Sequence, residues 1–170
     1  VPDARLALAG DMDEDGDLDV VLASHDNSSL QVLLAAGGGA FVRGPTLDVA
    51  VDASRSEIGD FDGDGRLDVA LLQGSRIQVA FGDGAGGFSA TRIVELGDRA
   101  ADVVAADLDL DGRDEMVVAC TDDDRICIVL GDASRRLDQW WLLTGVLSPE
   151  TIGVGDMGGD GLPDVVVVPD

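Results

Sequence analysis

One nine-residue pattern, written four times along the chain, limits its folding more than any other feature. Asp60-Phe61-Asp62-Gly63-Asp64-Gly65-Arg66-Leu67-Asp68 places carboxylates at positions 1, 3, 5 and 9 and glycine at position 6. The pattern returns as Asp11, Asp13, Asp15 and Asp19 around Gly16, and as Asp107, Asp109, Asp111 and Glu115 around Gly112. A fourth copy holds Asp156, Asp160 and Asp164 around Gly161, with Gly158 at position 3. The copies start 49, 47 and 49 residues apart. One such loop arises by chance, whereas four at near-constant spacing mark an internal repeat.

Calcium takes about six to eight oxygen ligands, and alternate acidic residues in a tight loop supply them. Glycine at position 6 permits the turn that brings position 9 back to the ion. The carbonyl at position 7, from Asp17, Arg66, Arg113 or Leu162, is a further expected ligand. The expectation is three to four Ca²⁺ ions per chain, the fourth weakened by Gly158. A crowded, irregular oxygen cage suits calcium better than the smaller magnesium. An EF-hand is excluded, because it needs Glu at position 12 and flanking helices. Position 12 is Leu22, Leu71, Val118 and Val167, and each loop runs into β-formers such as Val69-Ala70-Leu71-Leu72.

Each unit reads as strand, acidic loop, strand, short turn, strand, glycine-rich turn, strand. In the second unit, Leu67–Gln73, Ile77–Phe81 and Phe88–Leu96 are the predicted second, third and fourth strands. The fourth unit stops after two, at Asp170. A four-stranded antiparallel unit repeated at this period is the mark of a β-propeller blade. The expected fold is all-β: three and a half blades over about 4–53, 54–100, 101–148 and 149–170. Second strands that are apolar on both faces suit sheets sandwiched between neighbours. Fourteen strands fall short of the roughly sixteen of a four-bladed ring. We therefore expect either a piece of a longer propeller or copies that complete a ring together as a homo-oligomer.

Composition fits this reading. The chain has 170 residues, enough for one sizeable core, and 45% are hydrophobic, so its acidity is not that of a disordered tail. Its net charge of −23 disfavours nucleic acid, whose phosphates need a basic surface. Fifteen of the 34 acidic residues occupy ligand positions in the four loops. No apolar run is long enough to span a bilayer, so membrane insertion is not expected. The start at Val1-Pro2-Asp3 lacks signal-peptide regions, as a mature domain would.

Gly59 to Val69, followed by Phe81-Gly82-Asp83-Gly84 and Gly86-Gly87-Phe88, resembles the FG-GAP/VCBS repeat, the blade of integrin α-subunit propellers and of many bacterial secreted proteins. The resemblance covers essentially the whole chain. It implies a Ca²⁺-loaded propeller with metal between the first and second strands of each blade, working outside the cell, on its surface or in the periplasm.

Other features have plainer readings. Gly82-Asp83-Gly84-Ala85-Gly86-Gly87 matches GxGxxG, but a strand follows where a dinucleotide site needs a helix. Cys120 and Cys127 face each other if Asp123-Asp124 forms the hairpin turn, either as a disulfide or as two reduced, half-buried thiols. His25, the only histidine, is expected in an exposed turn. Trp140 and Trp141 are expected on a fourth strand, pointing to opposite faces. One is a candidate sugar platform, though packing is the default. The expected role is a binding module for a protein or glycan, not an enzyme. Its recognition loops are 25–29, 47–55, 74–76, 97–101, 122–125 and 145–150, opposite the metals. A polysaccharide lyase or esterase domain and a self-assembling scaffold are the alternatives. The absence of tyrosine and the single histidine argue against catalysis.

Overall fold

The computed structural model describes residues 4–24, 28–49, 55–97 and 99–169. It contains three four-stranded sheets and one two-stranded sheet, each an antiparallel meander in chain order. The first sheet comprises β1 (Ala4–Gly10), β2 (Asp19–Ser24), β3 (Ser29–Ala35) and β4 (Phe41–Asp48). The second comprises β5 (Arg55–Gly59), β6 (Asp68–Gln73), β7 (Arg76–Gly82) and β8 (Phe88–Glu95). The third comprises β9 (Ala100–Ala106), β10 (Glu115–Cys120), β11 (Arg125–Leu130) and β12 (Gln139–Thr144). β13 (Pro149–Gly155) and β14 (Asp164–Pro169) form the last. Predicted strand ends agree to within a few residues, and Ala100 opens the third sheet where the sequence boundary put it in the second.

The first strands stack side by side, β1 on β5, β5 on β9 and β9 on β13. Successive sheets therefore pack face to face around a line of inner strands, as propeller blades do. The two faces of a middle strand feed different cores. Ala70 and Leu72 of β6 join Ile77, Val79 and Phe81 in a core shared with Met116, Val118, Cys127 and Val129 of the third sheet. Val69 and Leu71 point the other way, to Val21, Leu30 and Val32 of the first. In β10, Val117 and Ala119 reach a smaller core with Ile126 and Ile152. This division explains why these strands are apolar throughout rather than alternating.

The β10–β11 turn departs from expectation. It spans four residues, Thr121 to Asp124, so Cys120 pairs with Arg125 and Cys127 with Val118. The two cysteines sit diagonally, not opposite each other. A slip of two residues preserves the face each side chain takes, so they still meet, fully buried, with sulfurs 2.8 Å apart. The glycine-rich stretch from Gly82 is the β7–β8 hairpin turn. Asp83 closes it by accepting from the amides of Ala85 and Gly87. Trp140 and Trp141 lie in β12 opposite Val129 and Ile128; their side chains, like His25, fall outside the described residues.

Candidate metal centre and recognition face

All four acidic loops are built alike. The position-9 carboxylate stands opposite the residue that precedes position 1: Gly10 and Asp19, Gly59 and Asp68, Ala106 and Glu115, Gly155 and Asp164. The first aspartate folds the loop by accepting from the amides at positions 5 and 6. Asp60 receives Asp64 and Gly65 at 3.2 and 2.8 Å, and Asp11, Asp107 and Asp156 receive their equivalents. The position-7 amides of Asp17, Arg66, Arg113 and Leu162 donate to the position-5 carboxylates of Asp15, Asp64, Asp111 and Asp160. Glycine at position 6 has φ between 84° and 90° in all four loops. Position 4 is also left-handed, even where Glu14 or Leu110 occupies it.

The position-9 acid has a second task that sequence reasoning missed. It accepts the position-2 amide in every loop: Asp19 from Met12, Asp68 from Phe61, Glu115 from Leu108 and Asp164 from Met157. Asp19 and Asp68 also accept the amides of Ala35 and Gly82, tying the loop to the end of the third strand. The apolar residue recurring at position 2 was the available signal. Met12 and Phe61 are core anchors there.

Three loops gather carboxylates tightly enough to share an ion. Asp11, Asp13 and Asp15 bring ligand atoms within 4.8 Å of one another, as do Asp60, Asp62 and Asp68, and Asp107, Asp109 and Glu115. Among the described residues, Asp156, Asp160 and Asp164 form no such group. The fit to a hard cation rests on Asp13, whose Oδ1 is buried without a hydrogen-bond partner. Burial, then the charges of Asp15 and Asp19, push its carboxyl above the usual range. Burial likewise raises Glu115, against the pull of the Leu108 amide. Asp68, buried although two amides pull its carboxyl down, rises from 3.8 to about 7. Clustered carboxylates disfavouring their own ionisation are a donor set that a divalent cation satisfies.

Arginines supply part of that countercharge. Arg113 grips Asp111 and holds its carboxyl below the usual range. Arg135, from the β11–β12 turn, reaches back over the preceding blade's loop. Its Nε lies 2.6 Å from Asp62 Oδ2, its Nη1 donates to Ser89 at 2.7 Å, and its guanidinium sits 5.1 Å from the Phe81 ring centre. The turn before it does the same by backbone: the Gly86 amide donates to the Met12 carbonyl at 2.9 Å. Asp60 and Asp114 exchange contacts between the second and third loops. The loops therefore touch one another on one face.

The inner strands begin on the opposite face. A pocket there is lined by Arg55, Gly74, Arg99, Ala100 and Glu150, residues from the loops predicted for recognition, and by Thr121, one residue before the predicted loop 122–125. Next to the lining residue Ala101, Asp102 lies 3.3 Å from Arg55 Nε and accepts from the Ile152 amide at 3.1 Å. Recognition positions 25–27, 50–54 and 98 lie outside the described residues.

These sheets and loops define a partial β-propeller carrying acidic inter-strand loops. The FG-GAP-like repeat matches residues 11–71 and 60–118, and the chain belongs to that family. No curated protein matches it in sequence. Among solved structures, BBS1N in its complex with ARL6DN aligns over 99% of this chain and 51% of its own, at 13% identity and a TM-score of 0.66. An Agrocybe aegerita lectin, described as recognising non-reducing terminal N-acetylglucosamine, aligns over 98% and 47%, at 20% identity and a TM-score of 0.66. A Photorhabdus luminescens Tc holotoxin pore aligns over 96% and 8%, at 19% identity and a TM-score of 0.60. The chain thus spans about half the length of the first two.

Proposed function

We propose that this propeller is a calcium-stabilised, non-catalytic recognition module that works in an extracellular, cell-surface or periplasmic setting. The observation that carries the proposal is the orphaned, buried Oδ1 of Asp13 within a group of three carboxylates. Calcium would be held by Asp11, Asp13 and Asp15, by Asp60, Asp62 and Asp68, and by Asp107, Asp109 and Glu115, with Asp19, Asp64 and Asp111 as further oxygens. The fourth loop, Asp156, Asp160 and Asp164, is the weakest candidate. Bound calcium supplies positive charge and crosslinks each loop; it takes part in no reaction. Micromolar to millimolar affinity suffices outside cells.

Recognition is assigned to the opposite face, at the pocket between Arg55, Arg99 and Glu150. Its mixed charges and hydroxyls suit a polar protein segment or a glycan, and the lectin's fold lends support to the second. Copies of the chain, or further blades of a longer parent, would complete the ring.

Melting with excess calcium and with EDTA tests the metal. Calcium should raise the midpoint, since it binds only the folded loops, and titration calorimetry should count three to four ions. An EDTA-insensitive midpoint overturns the metal assignment. A glycan array and a panel of secreted proteins, probed with wild type and Arg99→Ala in calcium, test the face. Binding that the substitution leaves unchanged would place recognition elsewhere.

A further inference from the structure

We propose that Cys120 and Cys127 are a disulfide site that staples the β10–β11 hairpin beneath the recognition face. Both side chains point into the core between the second and third sheets. The diagonal register sets them on one face, and their sulfurs already touch. The sequence supplies few further soft ligands for the pair: it has no third cysteine, and its only histidine, His25, lies 95 residues before Cys120. A soft metal ion prefers about four such ligands.

The staple has a mechanical purpose. The acidic loops fix the metal-side ends of the second strands, whereas the far end of this hairpin is the four-residue turn Thr121 to Asp124. Thr121 lines the pocket, and its amide and hydroxyl both donate to the Arg99 carbonyl. A bond beside the turn would fix Thr121, and through it Arg99, in the geometry a ligand meets. Preorganisation of this kind reduces the ordering cost of binding.

The oxidant is a disulfide, either a small-molecule one such as oxidised glutathione or that of a thiol–disulfide oxidoreductase. One cysteine thiolate attacks it, giving a mixed disulfide and releasing one thiol. The second cysteine thiolate displaces the other thiol and closes the Cys120–Cys127 bond. Two electrons pass to the oxidant, and the two cysteine protons end on the released thiols. Because both sulfurs are buried, closure takes place during folding. The proposal rests on the extracellular reading only for the supply of oxidant.

The test is refolding from denaturant in a buffer of oxidised and reduced glutathione, once with calcium and once with EDTA. Alkylation in denaturant without reductant is followed by intact mass measurement. The expected product is about 2 Da lighter than the reduced chain and takes no alkyl group. After dithiothreitol it should take two alkyl groups and melt at a lower temperature. Cys127→Ser should show one alkylated or glutathione-capped thiol and no dithiothreitol-dependent melting shift. Should that variant fail to fold, the wild-type mass decides alone. Two free or glutathione-capped thiols in the wild type, or chains joined to one another, overturn the proposal. A calcium-independent melt with the bond formed would sink only the metal reading, and a calcium-dependent melt with free thiols only this one.

Discussion

Asp68 shows what a single loop carboxylate costs the metal-free fold. The unfolded chain releases this proton near 3.8, and the folded chain holds it to about 7. Folding therefore takes up a proton across that window. The stability this contributes is complete below the lower value and is lost as pH rises through the upper one. In EDTA, the melting midpoint should fall between about pH 4 and pH 7, and Asp68→Asn should flatten that slope while lowering the acidic plateau. Identical slopes for the two proteins would refute this. Calcium needs the ionised form, so in its presence the dependence should reverse. Arg135 acts on the neighbouring carboxylate. Asp62 is only 3% exposed, and its partner is a guanidinium from the next blade. Arg135→Ala should cost about 1–3 kcal/mol without metal, the penalty of a buried acceptor left unmatched. In calcium the loss should be smaller, and affinity at the second loop should rise, because the tethered cation no longer competes. Denaturant unfolding in EDTA and in calcium gives both numbers.

At the scale of elements, close backbone approaches control the turns as firmly as carboxylates control the loops. A Cβ built on Gly131 would collide with the Phe61 carbonyl oxygen, and one on Gly153 would meet nothing within 4 Å. Backbone cannot swing aside as a side chain can. Gly131→Ala should therefore lose upward of about 2 kcal/mol, whereas Gly153→Ala should stay within about 0.5 kcal/mol. Equal midpoints would contradict the close approach. Much of this level was legible in the sequence. The second strands were apolar on both faces because two cores claim them, and the Gly82 stretch was a hairpin turn because a strand followed. The register of β10 on β11 was not legible, because Thr121-Asp122-Asp123-Asp124 admits a two-residue or a four-residue turn equally well. The left-handed backbone at Glu14 and Leu110 also left no mark, since glycine fills that place only in the other two loops. Arg135 was invisible for a different reason: its partner Asp62 lies 73 residues away, and only the stacking of blades unites them.

For the whole molecule, the repeat period foretold stacked four-stranded sheets and a final pair, and both are present. Among the described residues, the main contacts between sheets join neighbours along the chain, so the core between the second and third sheets is flanked on both sides. Among the described residues, β14 pairs with β13 alone, and Val166 and Val168 are 41% and 53% exposed. An unpaired, valine-rich edge attracts another strand. Light scattering in calcium should show association that grows with concentration, and placing lysine at positions 166 and 168 should weaken it. A monomer at every concentration would show that the edge is protected in some other way. The backward lean of the third-to-fourth-strand turns has one more consequence. The β7–β8 turn covers the loop at Met12, and the β11–β12 turn covers the loop at Asp62, so each of the first two acidic loops is covered by the blade made after it. During synthesis, a ribosome feeding out this chain would be one blade past each of these two loops before the loop was covered. The order of the blades along the chain would then become the order in which they harden.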